Sequence, residues 1–306
     1  MNIKDGVHNM SHKLAIISTT FTENLMFLED MATSFKSTII ISPSLDKKSI
    51  IKNIKDCDSI ILGSYPIMAI INDLPNLKYI SKLGVGLDNI DIDVLEKRGI
   101  KVALSKGVNA RAVAELVLAR MIQLSRNLHL SESVIRNGGW LKIKGRELTE
   151  INIGIIGYGS VGKKVCKILD QVGVSDNHIR IYDQFVNIGT SLDLLLASSD
   201  IITIHIQGTA DNINFFDKDK FIKMKKGSCI INTSRGNIIN TNDIIDALGN
   251  GTLKGCALDV FDNEPVIDDR LRNHSKVLLS CHQGSLTERT MLKSSDVAIK
   301  NLIKLY

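Results

Sequence analysis

The chain has no apolar run approaching the roughly 18 residues that a membrane span requires. Its opening, MNIKDGVHNMSHKLAII, lacks a basic segment followed by an apolar stretch and a small-residue cleavage site, so no secretion signal is expected. The first dozen residues are polar and are expected to be frayed. None of Cys57, Cys166, Cys229, Cys256 and Cys281 forms a CxxC pair, and five is an odd number. Buried reduced thiols are therefore expected, with no metal and no disulfide framework. No stretch rich in Pro, Gly or Ser marks a linker, and no segment is of low complexity. Basic residues also lack the clustering of a nucleic-acid stripe: the net charge of +5 comes from scattered Lys, and the densest patch, Lys218 to Lys226, reads as one solvated helix face.

What remains is 306 residues, 44% apolar and 23% charged, enough for two globular domains in the α/β class. Short aliphatic runs recur along the chain. In the first half they are Lys13–Thr19, Thr38–Ser42, Ser59–Gly63, Lys78–Gly84 and Lys101–Ser105; in the second, Ile151–Gly157, His178–Asp183, Asp200–Ile206, Ser228–Ser234, Gly255–Val260 and Lys276–His282. Runs rich in Ile and Val without polar alternation suit strands covered on both faces, hence parallel sheets flanked by helices. The period turns helical over Asn109–Arg126, which reads as a bridging helix, and again over Leu286–Tyr306. Hinges are expected near residues 106 and 286, which would let the terminal helix return to the first domain.

The stretch GIIGYGSVG, residues 154–162, follows an apolar run and opens an amphipathic one with Val161, Val165, Ile168, Leu169 and Val172 on a stripe. In that setting Gly157 permits a tight turn, Gly159 lets backbone approach a pyrophosphate, and Gly162 lets helix and strand pack closely. Free N–H groups and partial positive charge at the helix start suit phosphates. Asp183 ends the next strand, 21 residues after Gly162, where its carboxylate can accept from both adenosine ribose hydroxyls and repel a 2′-phosphate. Gln184 follows it. The loop is read as a dinucleotide site that takes NAD in preference to NADP.

Three polar groups follow predicted strands, where doubly wound sheets hold their ligands. Arg235 lies in CIINTSRGNIIN, Glu264 in GCALDVFDNEP, and His282 in VLLSCHQGSLT. A guanidinium can grip a carboxylate through two parallel hydrogen bonds. Taken singly, Arg235 reads equally as a surface residue, Glu264 as a turn residue before Pro265, and His282 as a satisfied core histidine. His205, closing DIITIHI, competes with His282, and periodicity does not choose between them. His8, His12, His129, His178 and His274 lie in weaker settings.

The stretches LGVGLDNID, NARAVAELVLARMIQLSRNL, NGGW, IGIIGYGSVGKKV, INTSRGNII, ALDVFDNEP and CHQGS, in this order and spacing, closely resemble the D-2-hydroxyacid dehydrogenase family, the phosphoglycerate dehydrogenase-like group. The resemblance implies two Rossmann-like, doubly wound parallel-sheet domains with the active cleft between them. It places a flavodoxin-like substrate-binding domain at 1–105 plus 287–306 and an NAD-binding domain at 106–286. It puts the catalytic Arg, Glu and His on Arg235, Glu264 and His282, and substrate-binding backbone at Gly84, Val85 and Gly86. The cofactor set falls on Gly157, Tyr158, Gly159, Ser160, Val161, Gly162 and Asp183, with His205, Thr209, Thr233 and Asp259. A cytoplasmic homodimer, paired through the cofactor domains, acting on a small 2-hydroxy or 2-keto acid, is the implied setting, with no nucleic-acid or membrane partner. Trp140 is expected at a domain or subunit contact.

The chain departs from the family's pattern at Cys281, where members often carry Pro or another small residue, at Gln207, where Pro is usual, and at Gly63, where phosphoglycerate dehydrogenases carry a phosphate-binding Arg. Gly63 speaks against 3-phosphoglycerate. Ending at Tyr306, the chain is expected to lack C-terminal regulatory domains. The alternative to a dehydrogenase is a binding protein on the same scaffold, like the NADH-responsive transcriptional corepressors.

Overall fold

The computed structural model describes residues 12–21, 36–42, 44–186 and 189–305, so the expectation for the first dozen residues falls, except for its last, outside the described residues. Eleven strands are present among the described residues, one for each apolar run. They are β1 (Lys13–Ile17), β2 (Ser37–Ile41), β3 (Ser59–Leu62), β4 (Tyr79–Lys82), β5 (Lys101–Leu104), β6 (Ile153–Ile156), β7 (Ile179–Tyr182), β8 (Ile201–Ile204), β9 (Ser228–Asn232), β10 (Leu253–Leu258) and β11 (Val277–Leu279). The chain divides into two compact units, residues 1–109 with 286–306, and residues 110–285.

The first unit holds a five-stranded sheet in the order β2-β1-β3-β4-β5, every pair parallel. This 2-1-3-4-5 order is the flavodoxin-like one. All of β3 is buried, because helices cover both faces. One face packs the cluster containing Ile50, Ile54, Ile60, Leu62, Ile67, Ile70, Ile80 and Leu95. The other holds Leu14, Ile16 and Ile61 against Ala298, Ile299 and Leu302 of the terminal helix Glu288–Leu305. Buried aliphatic side chains of this kind contribute about 2 kcal/mol each. Ser81, buried in β4, donates its hydroxyl to the Ala298 carbonyl at 2.7 Å and so needs no water. Gly84, with φ 112, turns the chain after β4 toward Val85, which is 42% exposed.

The second unit holds a six-stranded sheet, β11-β10-β9-β8-β6-β7, again parallel throughout. The chain leaves β6 for β7 on one side and returns to β8 on the other, so the switch point lies at β6. β6, β8 and β9 are buried along their whole length. The helix Ala110–Ser125 covers one face with Val113, Ala114, Val117, Met121 and Leu124, beside Val165, Ile168 and Leu169 of the helix Ser160–Gln171. Phe216, Phe221, Ile244, Leu248 and Leu271 cover the other.

No helix among the described residues is long and apolar enough to cross a membrane. The Lys-rich helix Lys218–Lys223 and its flank are solvated, with Lys220, Lys223 and Lys225 paired to Asp217, Asp193 and Asp200. Cys57, Cys229 and Cys256 are buried, and burial pushes the Cys57 thiol up to about 11 and Cys229 up to about 12. The expectation of buried thiols fails at Cys281, which is exposed, and at Cys166, which is half-buried. Cys281 lies past the end of β11, where the chain has left the sheet.

Candidate active site

The glycine loop grows out of the end of β6. Gly157 adopts φ 95, and a Cβ there would lie 2.6 Å from the His205 carbonyl oxygen, so the turn admits only Gly. A Cβ on Gly162 would collide with the Gly157 carbonyl oxygen, which is the close packing expected of the third glycine. Above Gly159 there is open space. The helix Ser160–Gln171 starts there without a side-chain cap, and the first N–H groups of a helix have no intrahelical acceptors. Backbone room, free amides and a positive helix end fit a pyrophosphate. The Lys163 ammonium lies 5.6 Å from the Tyr158 ring centroid at the same corner.

Asp183 stands just beyond β7. Its Oδ2 accepts the Tyr158 N–H at 2.6 Å and its Oδ1 the Phe185 N–H at 2.8 Å. The carboxylate thereby braces the glycine loop, and each oxygen keeps a lone pair for a ribose hydroxyl.

His205 closes the adjacent strand end. The residue is half-buried, and desolvation pushes its pKa down to about 3. Nε2 lies 3.1 Å from the buried Thr203 hydroxyl. A ring held neutral carries no exchangeable charge at working pH. Thr209 heads the short turn Ala210–Asn212. The Thr233 hydroxyl and the Asn237 side-chain oxygen are buried without a hydrogen-bond partner, an arrangement that a bound polar group would relieve. An open glycine corner, a braced carboxylate and an orphaned hydroxyl together fit a dinucleotide.

Arg235, Glu264 and His282 follow β9, β10 and β11, three neighbouring parallel strands, so all three leave the same edge of the sheet. The half-buried Arg235 donates from Nη1 to the Ser234 carbonyl at 2.7 Å, while Asn232 Nδ2 donates to the Arg235 carbonyl at 2.8 Å. Gly208 lets the stem through, since a Cβ there would lie 2.6 Å from Arg235 Cγ. Glu264 accepts the Phe261 N–H on Oε1 at 3.0 Å and meets His282 Nδ1 with Oε2 at 2.8 Å. The His282 and Glu264 side chains are 46% and 36% exposed, so the pair faces solvent. A carboxylate on Nδ1 fixes the N–H there and leaves Nε2 outward for proton exchange.

Burial thus separates the two histidines that periodicity left level. Sequence reading missed the web of Ser280, Arg120 and Phe261 around this pair. The only advance signal was an Asp at the end of the ALD run. A cavity of about 340 Å³ lies behind the Glu264 loop, lined by Phe261, Asn263, Val266 and Arg270 among others; Arg235, Glu264 and His282 do not line it. Among the described residues no group of His, Cys, Asp and Glu is placed to hold a metal. Trp140 is 82% exposed.

The family model for the D-isomer specific 2-hydroxyacid dehydrogenase NAD binding domain matches residues 118–284. The chain is 34% identical over 273 residues to a glyoxylate reductase of Thermofilum pendens, covering 84% of this chain and 80% of that protein. It is 33% identical over 272 residues to a D-3-phosphoglycerate dehydrogenase of Synechocystis sp., covering 84% of this chain but 49% of that one, so it spans about half that relative's length. The fold is that of the glyoxylate reductase crystal structure from Paecilomyes thermophila, with TM-score 0.85 over 96% of this chain and 95% of that one at 24% identity.

Proposed function

The chain belongs to the D-isomer-specific 2-hydroxyacid dehydrogenase family, and from that premise we propose that it moves a hydride between NAD and a small 2-hydroxy or 2-keto acid. The observation that carries the proposal is the 2.8 Å contact of His282 Nδ1 with Glu264 at the open edge of the sheet. NAD supplies the hydride donor or acceptor. Arg235 grips the substrate carboxylate with its planar fork and polarises the neighbouring carbonyl. His282 Nε2 gives its proton to the keto oxygen during reduction and takes the hydroxyl proton during oxidation. Glu264 holds the ring in the tautomer and orientation that aim Nε2 outward. Val85 and Gly86 of the first unit are assigned to substrate, and Thr209, Thr233 and Asp259 to the cofactor, with the glycine loop on the pyrophosphate.

The relatives' names span glyoxylate reductase, hydroxypyruvate reductase and phosphoglycerate dehydrogenase. None of these is a corepressor, and the binding-protein alternative gains no support. Gly63 carries no side chain, and a Cβ there would meet Ser18 Oγ at 2.9 Å, so this position supplies no cation for a distal phosphate. A homodimer is proposed, with the exposed Trp140 and Leu141 as apolar surface for the partner copy. Five unpaired thiols suit a reducing, cytoplasmic compartment.

NADH consumption across pyruvate, glyoxylate, hydroxypyruvate, 2-ketoglutarate and 3-phosphohydroxypyruvate tests the reaction. Turnover of at least one unphosphorylated acid is expected; none with any acid removes the proposal. The cofactor assignment has its own measurement. Asp183→Ser loses both the brace on Tyr158 and the ribose acceptors, so the NADH Kd should rise about tenfold while NADPH binding improves. An unchanged Kd would place the adenosine ribose elsewhere.

A further inference from the structure

His282 sits on a segment outside regular structure, since β11 ends at Leu279. Its backbone φ is 51, in the left-handed region that residues other than Gly seldom adopt. Neighbouring groups have to impose that conformation. The restraint comes from one residue at the end of β10. Asp259 is 2% exposed, and its Oδ1 accepts the Ser280 hydroxyl at 2.6 Å and the Gln283 N–H at 2.9 Å. Its Oδ2 accepts the Gly284 N–H at 2.8 Å, and its carbonyl accepts the His282 N–H at 2.8 Å. The residues on either side of the imidazole, and the imidazole's own backbone, therefore hang from a single carboxylate-bearing residue.

A buried carboxylate is costly unless hydrogen-bonded and countered by positive charge. Arg120, on the helix Ala110–Ser125, supplies the countercharge. It donates to the Leu279 carbonyl at 3.2 Å, and burial lowers its pKa while the nearby Asp259 charge opposes that shift. The loop also fits closely at Gly284, where a Cβ would stand 3.3 Å from both Asp259 Oδ2 and Val113 Cγ2.

We infer that Asp259 is a positioning residue for His282, setting the imidazole by caging residues 280–284, and that this outweighs any contact it makes with the cofactor. Oδ1 is filled by two donors, so only a lone pair on Oδ2 is left for a bound group. The inference rests on the reading of His282 as the proton-transfer group. It extends that reading by naming what holds the ring.

Asp259→Asn keeps an acceptor for Ser280 and Gln283 but turns an NH2 toward the Gly284 N–H. The kcat for the best-turned-over keto acid should fall about tenfold, with the NADH Kd moving less than about threefold. Ser280→Ala removes one bond to Oδ1 and should lower kcat about threefold with the NADH Kd unchanged; it stands in if the first variant does not fold. Amide hydrogen exchange reads the cage without any catalysis and so separates this inference from the dehydrogenase reading. Exchange at His282, Gln283 and Gly284 should quicken in both variants while the β6 amides stay protected. Unaltered exchange at those amides, or an NADH Kd that rises as far as kcat falls, overturns the inference.

Discussion

Replacing His282 with Asn should lower kcat about 10³-fold while leaving the fold and NADH binding intact. Asn is the informative substitution because it tolerates the left-handed backbone at φ 51, whereas Ala adds strain to the loss of the ring. It also fills the space before Glu264 without being able to hand over a proton. The His282 ring is half-exposed and packs in no core cluster, so its loss removes little burial. A 10³-fold fall corresponds to about 4 kcal/mol of transition-state stabilisation, within the range of a positioned acid–base group. His205→Asn is the matched control. That ring, held down to about 3 by burial, stays neutral and is a poor acid near neutrality, and its substitution should cost less than about tenfold. Equal losses in the two variants would mean that His282 has no special place in the chemistry.

The sheets were legible because β3, β6, β8 and β9 are buried on both faces and so read as short Ile-rich runs without polar alternation. Strand ends were less so. The run Lys276–His282 reads as one strand, yet strand pairing ends at Leu279: the Ser280 N–H still donates to the Leu258 carbonyl, but beyond it the His282 N–H turns to the Asp259 carbonyl and the Gln283 and Gly284 N–H groups to the Asp259 carboxylate. No periodicity encodes a side chain 24 and 25 residues upstream taking over backbone donors. At the other end, β10 begins at Leu253, before the Gly255 start that the apolar run suggests, with a register shift between the two. The short turn Ile67–Asp73, a 3-10 helix with Ile67, Ile70 and Ile71 buried, carried no readable signal, being too short to establish a period.

The glycine loop was readable from its spacing and context, since Gly157 and Gly162 answer local steric needs and Gly159 leaves open space for a ligand. The site was not. Glu264 and His282 are 18 residues apart, and their pairing depends on β10 lying beside β11 and on the Phe261 N–H aiming the carboxylate. The roles proposed for them came to the sequence through resemblance, not through any pattern of spacing. Cys281 shows the same limit. Composition favours a buried thiol, and only the early end of β11 exposes it.

Arg235→Lys should lower kcat/KM about 10³-fold for every keto acid that the protein turns over, although the charge is kept. The geometry explains why charge alone is not enough. The Arg235 stem passes Gly208 with no room for a Cβ, Nη1 is anchored on the Ser234 carbonyl, and Asn232 holds the Arg235 backbone. The guanidinium plane is therefore set before substrate arrives, and a planar fork can form two parallel bonds to a carboxylate that a flexible ammonium cannot. On the proposed reading the same grip polarises the carbonyl, so the loss should divide between a raised KM and a lowered kcat, with NADH affinity unaltered. Gly208→Ala should reproduce part of the defect without touching the charge, by pushing the stem at Cγ. Steady-state kinetics on both variants, with NADH binding measured alongside, provides the check. If the Lys variant keeps its kcat/KM within about threefold of the parent, a point charge suffices and the bidentate grip on the carboxylate is wrong.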